Sequence, residues 1–130
     1  MASYQDIGVT TDGRVGIVEI RKPPNNFFDV ALINQIADAL EAFDANDDMR
    51  SVLFCAEGRA FCASADFSSR PDTGLVTEEG GKVTKHLYKE AVRIFRTKKP
   101  IVAAIQGPAI GGGLGLALVA DFRVAAPEAR

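Results

Sequence analysis

The segment from Ile101 to Asp121 constrains this chain most. A short apolar stretch, Ile101-Val102-Ala103-Ala104-Ile105, passes through Gln106 to Ile110 into three consecutive glycines, Gly111, Gly112 and Gly113, and then into the apolar run Leu114–Ala120. That order predicts a buried strand that turns over glycine into a helix. Glycine adopts positive φ and carries no Cβ to obstruct a neighbour. The first N–H groups of a helix have no intrahelical partner, and the helix dipole adds partial positive charge, so such a turn suits an anion. The anion is either a phosphate or an oxyanion that forms only during reaction. The familiar phosphate patterns do not fit: Gly-Lys-Ser/Thr is missing, and G-x-G-x-x-G needs a third glycine where Leu116 and Leu118 stand. A turn that only lets strand and helix pack closely also stays open at this point.

The rest of the chain alternates in the same way. Val15–Ile20 reads as a strand after the turn pair Asp12-Gly13, with residues 7–11 as its hairpin partner. Asp29 stands at an N-cap, and Leu32, Ile33, Ile36, Ala37, Leu40 and Phe43 recur at helical spacing after it. Residues 51–56 predict a buried strand, and residues 68–81, rich in Ser, Asp, Thr and Gly, predict a mobile surface loop. A second helix is expected from about Lys82 to Thr97, with Val83, Leu87, Ala91, Ile94 and Phe95 inward; one more strand starts at Phe122. The fold class is therefore α/β with buried, largely parallel strands.

With 130 residues, 47% hydrophobic, and a formal charge of −2, the chain fits one globular domain and argues against disorder. That charge gives no reason to expect nucleic acid as partner, and no apolar run reaches the length of a membrane span. Cys55 and Cys62 are too few for a disulfide scaffold, and are read as core residues. His86, the single histidine, excludes a zinc cluster and any histidine triad of which it is not the base. No signal peptide is visible in the first residues, so a reducing, cytoplasmic location is the expectation.

A second loop, Ala60-Phe61-Cys62-Ala63-Ser64-Ala65-Asp66-Phe67, follows the strand at 51–56. Its small residues would again expose backbone N–H groups. Together with Lys99–Gly107, the triple glycine, and Leu116–Ala125, it resembles the two signature loops of the enoyl-CoA hydratase/isomerase (crotonase) superfamily. The segment Arg21–Asn26 looks like that family's early loop on the coenzyme A side. The resemblance covers essentially the whole chain and implies a crotonase-like ββα spiral. Residues 1–130 would form its N-terminal part, incomplete without a C-terminal helical region.

The resemblance implies that two backbone N–H groups, at Ala65 and Gly112, hold the thioester carbonyl of an acyl-CoA as an oxyanion or enolate develops. It places coenzyme A contacts near Asn25, Ala63, Asp66, Phe67 and Gly111. Coenzyme A would enter as part of the substrate, with no separate cofactor and no metal, and the full-length protein would be a homo-oligomer, a trimer or hexamer. Ser64 stands where the family usually has glycine; it is read as a turn residue, and Asp66 as a residue that fixes its loop. Gly115 occupies the position of the first catalytic glutamate of hydratases, and glycine moves no proton. Isomerase or lyase chemistry thus remains open, as does a non-catalytic acyl-CoA binder or oligomer component. Glu78 and Glu79 are candidates to swing over the site, although solvation is the simpler reading. Between residues 82 and 99 seven basic residues face one acidic one, including Lys82, Lys85, Lys89, Arg93 and Arg96; a solvated helix face is preferred to a phosphate contact.

Overall fold

The computed structural model describes residues 3–66, 75–77 and 83–130. Strands β1 (Ile7–Asp12) and β2 (Val15–Ile20) form the expected antiparallel hairpin. Helix α1 (Val30–Ala45) begins where Asp29 caps it, its carboxylate accepting the Leu32 N–H at 2.8 Å. Strands β3 (Ser51–Ala56), β6 (Ile101–Ile105) and β7 (Phe122–Ala125) join β2 in parallel, giving a five-stranded sheet in the order β1-β2-β3-β6-β7. The architecture is mixed α/β, as the alternation of elements predicts.

Register explains the core. Gly16, Val52 and Ile101 lie side by side across three strands, as do Val18, Phe54 and Ala103. Because strand side chains alternate between faces, this whole set points to one side. There it meets α1, whose buried residues Leu32, Ile33, Ile36, Ala37, Leu40 and Phe43 are the helical series read from the sequence. The opposite set, including Ile17, Leu53, Cys55 and Val102, is only half-buried, and every residue of β7 is exposed. The strands are thus parallel as expected, but not buried on both faces.

The middle of the chain departs from the sequence reading. Strand β4 (Leu75–Thr77) pairs antiparallel with β5 (Val83–His86), so part of the expected loop is a hairpin, and α2 (Leu87–Phe95) starts five residues later than predicted. Val83 lies four residues before Leu87, a spacing that suits a helix, but β-branched Val83 and Thr84 favour a strand. Leu87 and Ile94 are buried, whereas Phe95 is exposed rather than inward. Glu78, Glu79 and Lys82 lie outside the described residues.

The basic series does not form one helical face, since Lys85 belongs to β5. Arg93 reaches across to α1, donating to Asp38 at 2.7 Å, Glu41 at 3.0 Å and Asn34 at 3.1 Å. Hydrogen bonds to Asp38 and then Glu41 hold its guanidinium above its ordinary pKa. Arg93 is therefore a clip between two helices, not a free cation awaiting a phosphate. Among the described residues, no helix is long and apolar enough to cross a membrane.

Candidate functional site

Because β2, β3 and β6 are parallel neighbours, the loops that follow them leave the same edge of the sheet. This carboxyl edge is where open α/β sheets gather ligand-binding loops. Here it brings together residues 21–29, 57–66 and 106–111.

Hydrogen bonds stitch the three loops into one unit. The Cys62 N–H donates to the Pro108 carbonyl at 3.2 Å, and the Cys62 carbonyl accepts from Ile110 N–H at 3.0 Å. The Gln106 amide donates to the Gly58 and Ala60 carbonyls, both at 3.0 Å. Phe28 brackets Ala65: its N–H donates to the Ser64 carbonyl at 3.0 Å, and its carbonyl accepts from Asp66 N–H at 2.7 Å. In this parallel bridge the groups of residues 64 and 66 face Phe28, so the N–H of Ala65 points the other way.

Helix α3 (Gly112–Leu118) starts after Gly111, whose φ of 57° and ψ of −124° lie in a region only glycine enters readily. A Cβ on Gly113 would lie 2.0 Å from the Cys62 carbonyl oxygen, and one on Gly111 3.3 Å from Ser64 Oγ. The triple glycine thus lets the third loop press directly on the second. Ala65 and Gly112 flank this contact, and the Phe28 ring sits against Gly112, with Cζ 2.3 Å from where a Cβ would be. Among the described residues, neither the Ala65 nor the Gly112 N–H donates to a protein acceptor. Two donors with nothing to bond are equipped to hold an oxygen brought in from outside.

Two spaces adjoin this point. An apolar cavity of about 130 Å³ is lined by Phe28, Tyr88, Val92, Gly112, Gly115 and Leu116, among others. A Cβ on Gly115 would meet nothing within 4 Å. On the other side, a groove of about 620 Å³ runs past Asn25, Arg59, Ala63, Gln106 and Arg130. Asn25 accepts from Arg59 at 3.0 Å through its side chain and from the Ala63 N–H at 2.9 Å through its carbonyl. Of the residues expected around coenzyme A, Asn25 and Ala63 line this groove, Asp66 and Gly111 lie on the joined loops, and Phe67 is outside the described residues.

Ser64 adopts a φ of 139°, in the range that favours glycine. A non-glycine residue held there costs on the order of 1–3 kcal/mol, against about 1 kcal/mol that glycine loses through its freer unfolded chain. Ser64→Gly is therefore expected to stabilise the protein by about 1 kcal/mol, read as a higher urea midpoint with unchanged slope. An unchanged midpoint would show that the loop carries no such strain.

Asn26 escaped the sequence reading, which singled out its neighbour Asn25. It is fully buried at a φ of 50°, a conformation asparagine tolerates. Its side-chain amide donates to the Glu57 carbonyl at 2.7 Å and the Ala60 carbonyl at 2.9 Å, while its oxygen accepts the Lys22 N–H at 2.9 Å. Asn26 is the pin between the first and second loops. Asn26→Ala strands the Lys22 N–H and the Glu57 carbonyl, while the Ala60 carbonyl keeps Gln106, and is expected to cost about 3 kcal/mol in urea unfolding; a loss under about 1 kcal/mol would contradict this.

Asp121 anchors the far end of α3, its carboxylate accepting the Ile101 N–H at 2.8 Å. Burial pushes the thiols of Cys55 and Cys62 up to about 11, which keeps both protonated near neutral pH; Cys62 is the core residue expected, whereas Cys55 is only half-buried on the opposite face of the sheet and lies outside the core. No group of three His, Cys, Asp or Glu among the described residues is arranged to hold a metal ion.

The comparisons with known proteins agree with this architecture. The family model described as enoyl-CoA hydratase/isomerase matches residues 10–130, and the chain belongs to that family. It is 33% identical over 130 residues to a probable enoyl-CoA hydratase of Bacillus subtilis (strain 168), covering 95% of this chain and 48% of that protein. It is 36% identical over 121 residues to a putative enoyl-CoA hydratase of Thermus thermophilus, covering 91% of this chain and 47% of that one. The crystal structure of an enoyl-CoA hydratase subunit from Geobacillus kaustophilus superposes with a TM-score of 0.83 at 29% identity, covering 98% of this chain and 49% of the other. The chain spans about half the length of the curated relatives it matches.

Proposed function

We propose that the full-length protein processes acyl-CoA thioesters, and that the N–H groups of Ala65 and Gly112 receive the thioester oxygen. The observation that carries this reading is a pair of backbone N–H groups that meet no protein acceptor among the described residues, on two loops hydrogen-bonded to each other at the carboxyl edge of the sheet. Negative charge grows on that oxygen as an enolate or tetrahedral intermediate forms. Fixed donors bind the charged state better than the neutral carbonyl, which lowers the barrier. The groove past Asn25, Ala63, Arg59 and Arg130 offers coenzyme A polar and cationic contacts alongside one carboxylate, Glu128, and the apolar cavity at Gly112 accepts acyl carbons. Asp66, Phe67 and Gly111 complete the set assigned to the substrate, and the free cysteines suit a reducing cytoplasm.

Hydration by paired carboxylates is disfavoured, because Gly115 supplies no acid and the described lining of the cavity holds no carboxylate. The same fact favours a second reading, a non-catalytic acyl-CoA binder. One experiment separates the two. Crotonyl-CoA at about a hundredfold excess over its Kd should stabilise the full-length protein by about 2.7 kcal/mol under either reading. Conversion of the thioester selects the enzyme, stabilisation without conversion selects the binder, and no stabilisation by any acyl-CoA defeats both.

A further inference from the structure

Of the glycines at positions 111, 112, 113 and 115, the first three have a reason in the fold. Gly111 needs its positive φ, and a Cβ on Gly112 or Gly113 would strike the Phe28 ring or the Cys62 carbonyl. Gly115 has no such reason: it lies within α3, and a Cβ there would meet nothing within 4 Å. Glycine weakens a helix interior relative to alanine, so neither packing nor helix propensity accounts for it. What its missing side chain leaves is room. Gly112, Gly115 and Leu116, with Val119 after them, share one helical face, and Tyr88, Ala91, Val92 and Phe95 share one face of α2. The cavity of about 130 Å³ lies between these two stripes, and none of its lining side chains among the described residues is charged. Buried Phe28 and Ile33 tie it to the core, while Val92 and Phe95 are 44% and 60% exposed, so it is open to an entering ligand.

We propose that Gly115 sets the acyl specificity of this site, and that the substrate class is a thioester whose acyl group ends in a compact apolar body the size of a phenyl ring. This rests on the reading that Gly112 holds the thioester oxygen, since the same residue lines the cavity. Volume fixes the size, because an apolar protein cavity of about 150 Å³ takes up benzene. Polarity fixes the class, because a charged acyl group would be desolvated there with no counter-ion. Shape favours a ring, since Phe28, Tyr88 and Phe95 offer aromatic edges and faces for it to pack against. A four-carbon acyl group leaves the room beside Gly115 unfilled and forfeits the contacts that a ring would make. A position where glycine supplies no acid thus serves the site by supplying space.

The test uses the full-length protein, wild type, Gly115→Leu and Val92→Phe, titrated with crotonyl-CoA and cinnamoyl-CoA, which differ only in a methyl against a phenyl group. Wild type is expected to bind cinnamoyl-CoA at least about tenfold more tightly, as burial of the added apolar area requires. The new side chain enters the space from α3 in the first variant and from α2 in the second. Each is expected to cut the preference to below about threefold. Melting temperatures of the free proteins check the fold. A Gly115→Leu protein that melts well below wild type would show that protein atoms already fill the space, and overturns the proposal. Wild-type Kd values within about threefold of each other, or a tenfold preference that survives either substitution, overturn the role of Gly115 and leave the reading at Ala65 and Gly112 standing. Failure of wild type to bind either thioester overturns that reading, and this proposal with it.

Discussion

Gly113→Ala is expected to abolish acyl-CoA binding by the full-length protein and to lower its stability by more than about 3 kcal/mol, while Gly115→Ala leaves binding near wild type and raises stability by up to about 1 kcal/mol. The two positions are two residues apart on the same short helix, so helix propensity cannot separate them. Alanine is the better helix former at either, by roughly 1 kcal/mol. The surroundings decide. A methyl on Gly113 would lie 2.0 Å from the Cys62 carbonyl oxygen and 2.7 Å from its carbon. Both are backbone atoms, held by the Pro108 and Ile110 hydrogen bonds, and cannot swing aside. Relief requires the second and third loops to separate, which breaks those bonds and moves Ala65 away from Gly112. A methyl on Gly115 meets nothing within 4 Å. Urea unfolding and crotonyl-CoA titration of both variants read the contrast directly. A Gly113→Ala protein that binds acyl-CoA normally would show that the close contact of the loops does not matter to the site.

Replacing a single amide by an ester at Ala65 or at Gly112 is expected to lower turnover by about 10²–10³-fold, or roughly 2.7–4 kcal/mol of barrier. The ester removes one N–H and leaves the side chain unchanged. Neither N–H serves a protein acceptor among the described residues, so the fold loses no donor. The ester also weakens the preceding carbonyl. At Ala65 that is the Ser64 carbonyl, which accepts from Phe28, and a stability loss near 1 kcal/mol accompanies the change. A rate loss far larger than the stability loss, with KM little changed, marks a transition-state donor. Rates within about threefold of wild type for both esters would remove these amides from the chemistry.

Much of the packing between these loops was legible in the residues because it is made by the backbone. Small residues are needed where main chains touch, and Ala63, Ala65, Gly111, Gly112 and Gly113 announce that need without a single functional side chain. The α1 face was legible for a different reason: one helix packs on one sheet face, so Leu32 to Phe43 follow a single period. The β4–β5 hairpin was not, because Val83, Leu87 and Ala91 obey a helical period while Val83 and Thr84 prefer extended backbone. The sequence of α2 also hid the partner of Arg93, since Asp38 and Glu41 lie more than fifty residues earlier. Asn26 was invisible because its role depends on two carbonyls contributed by another loop, and nothing in Asn25-Asn26 distinguishes which of the pair turns inward. The room beside Gly115 was missed because only the folded chain brings α2 opposite α3.

The proposed function requires one substrate oxygen to be shared by two main-chain amides from separate loops. A crystal structure of the full-length protein with an acyl-CoA bound tests it most directly. The thioester oxygen is expected at about 2.7–3.1 Å from both the Ala65 and the Gly112 nitrogens. An acyl group bound with that oxygen in hydrogen-bond range of only one of them, or of neither, would contradict it.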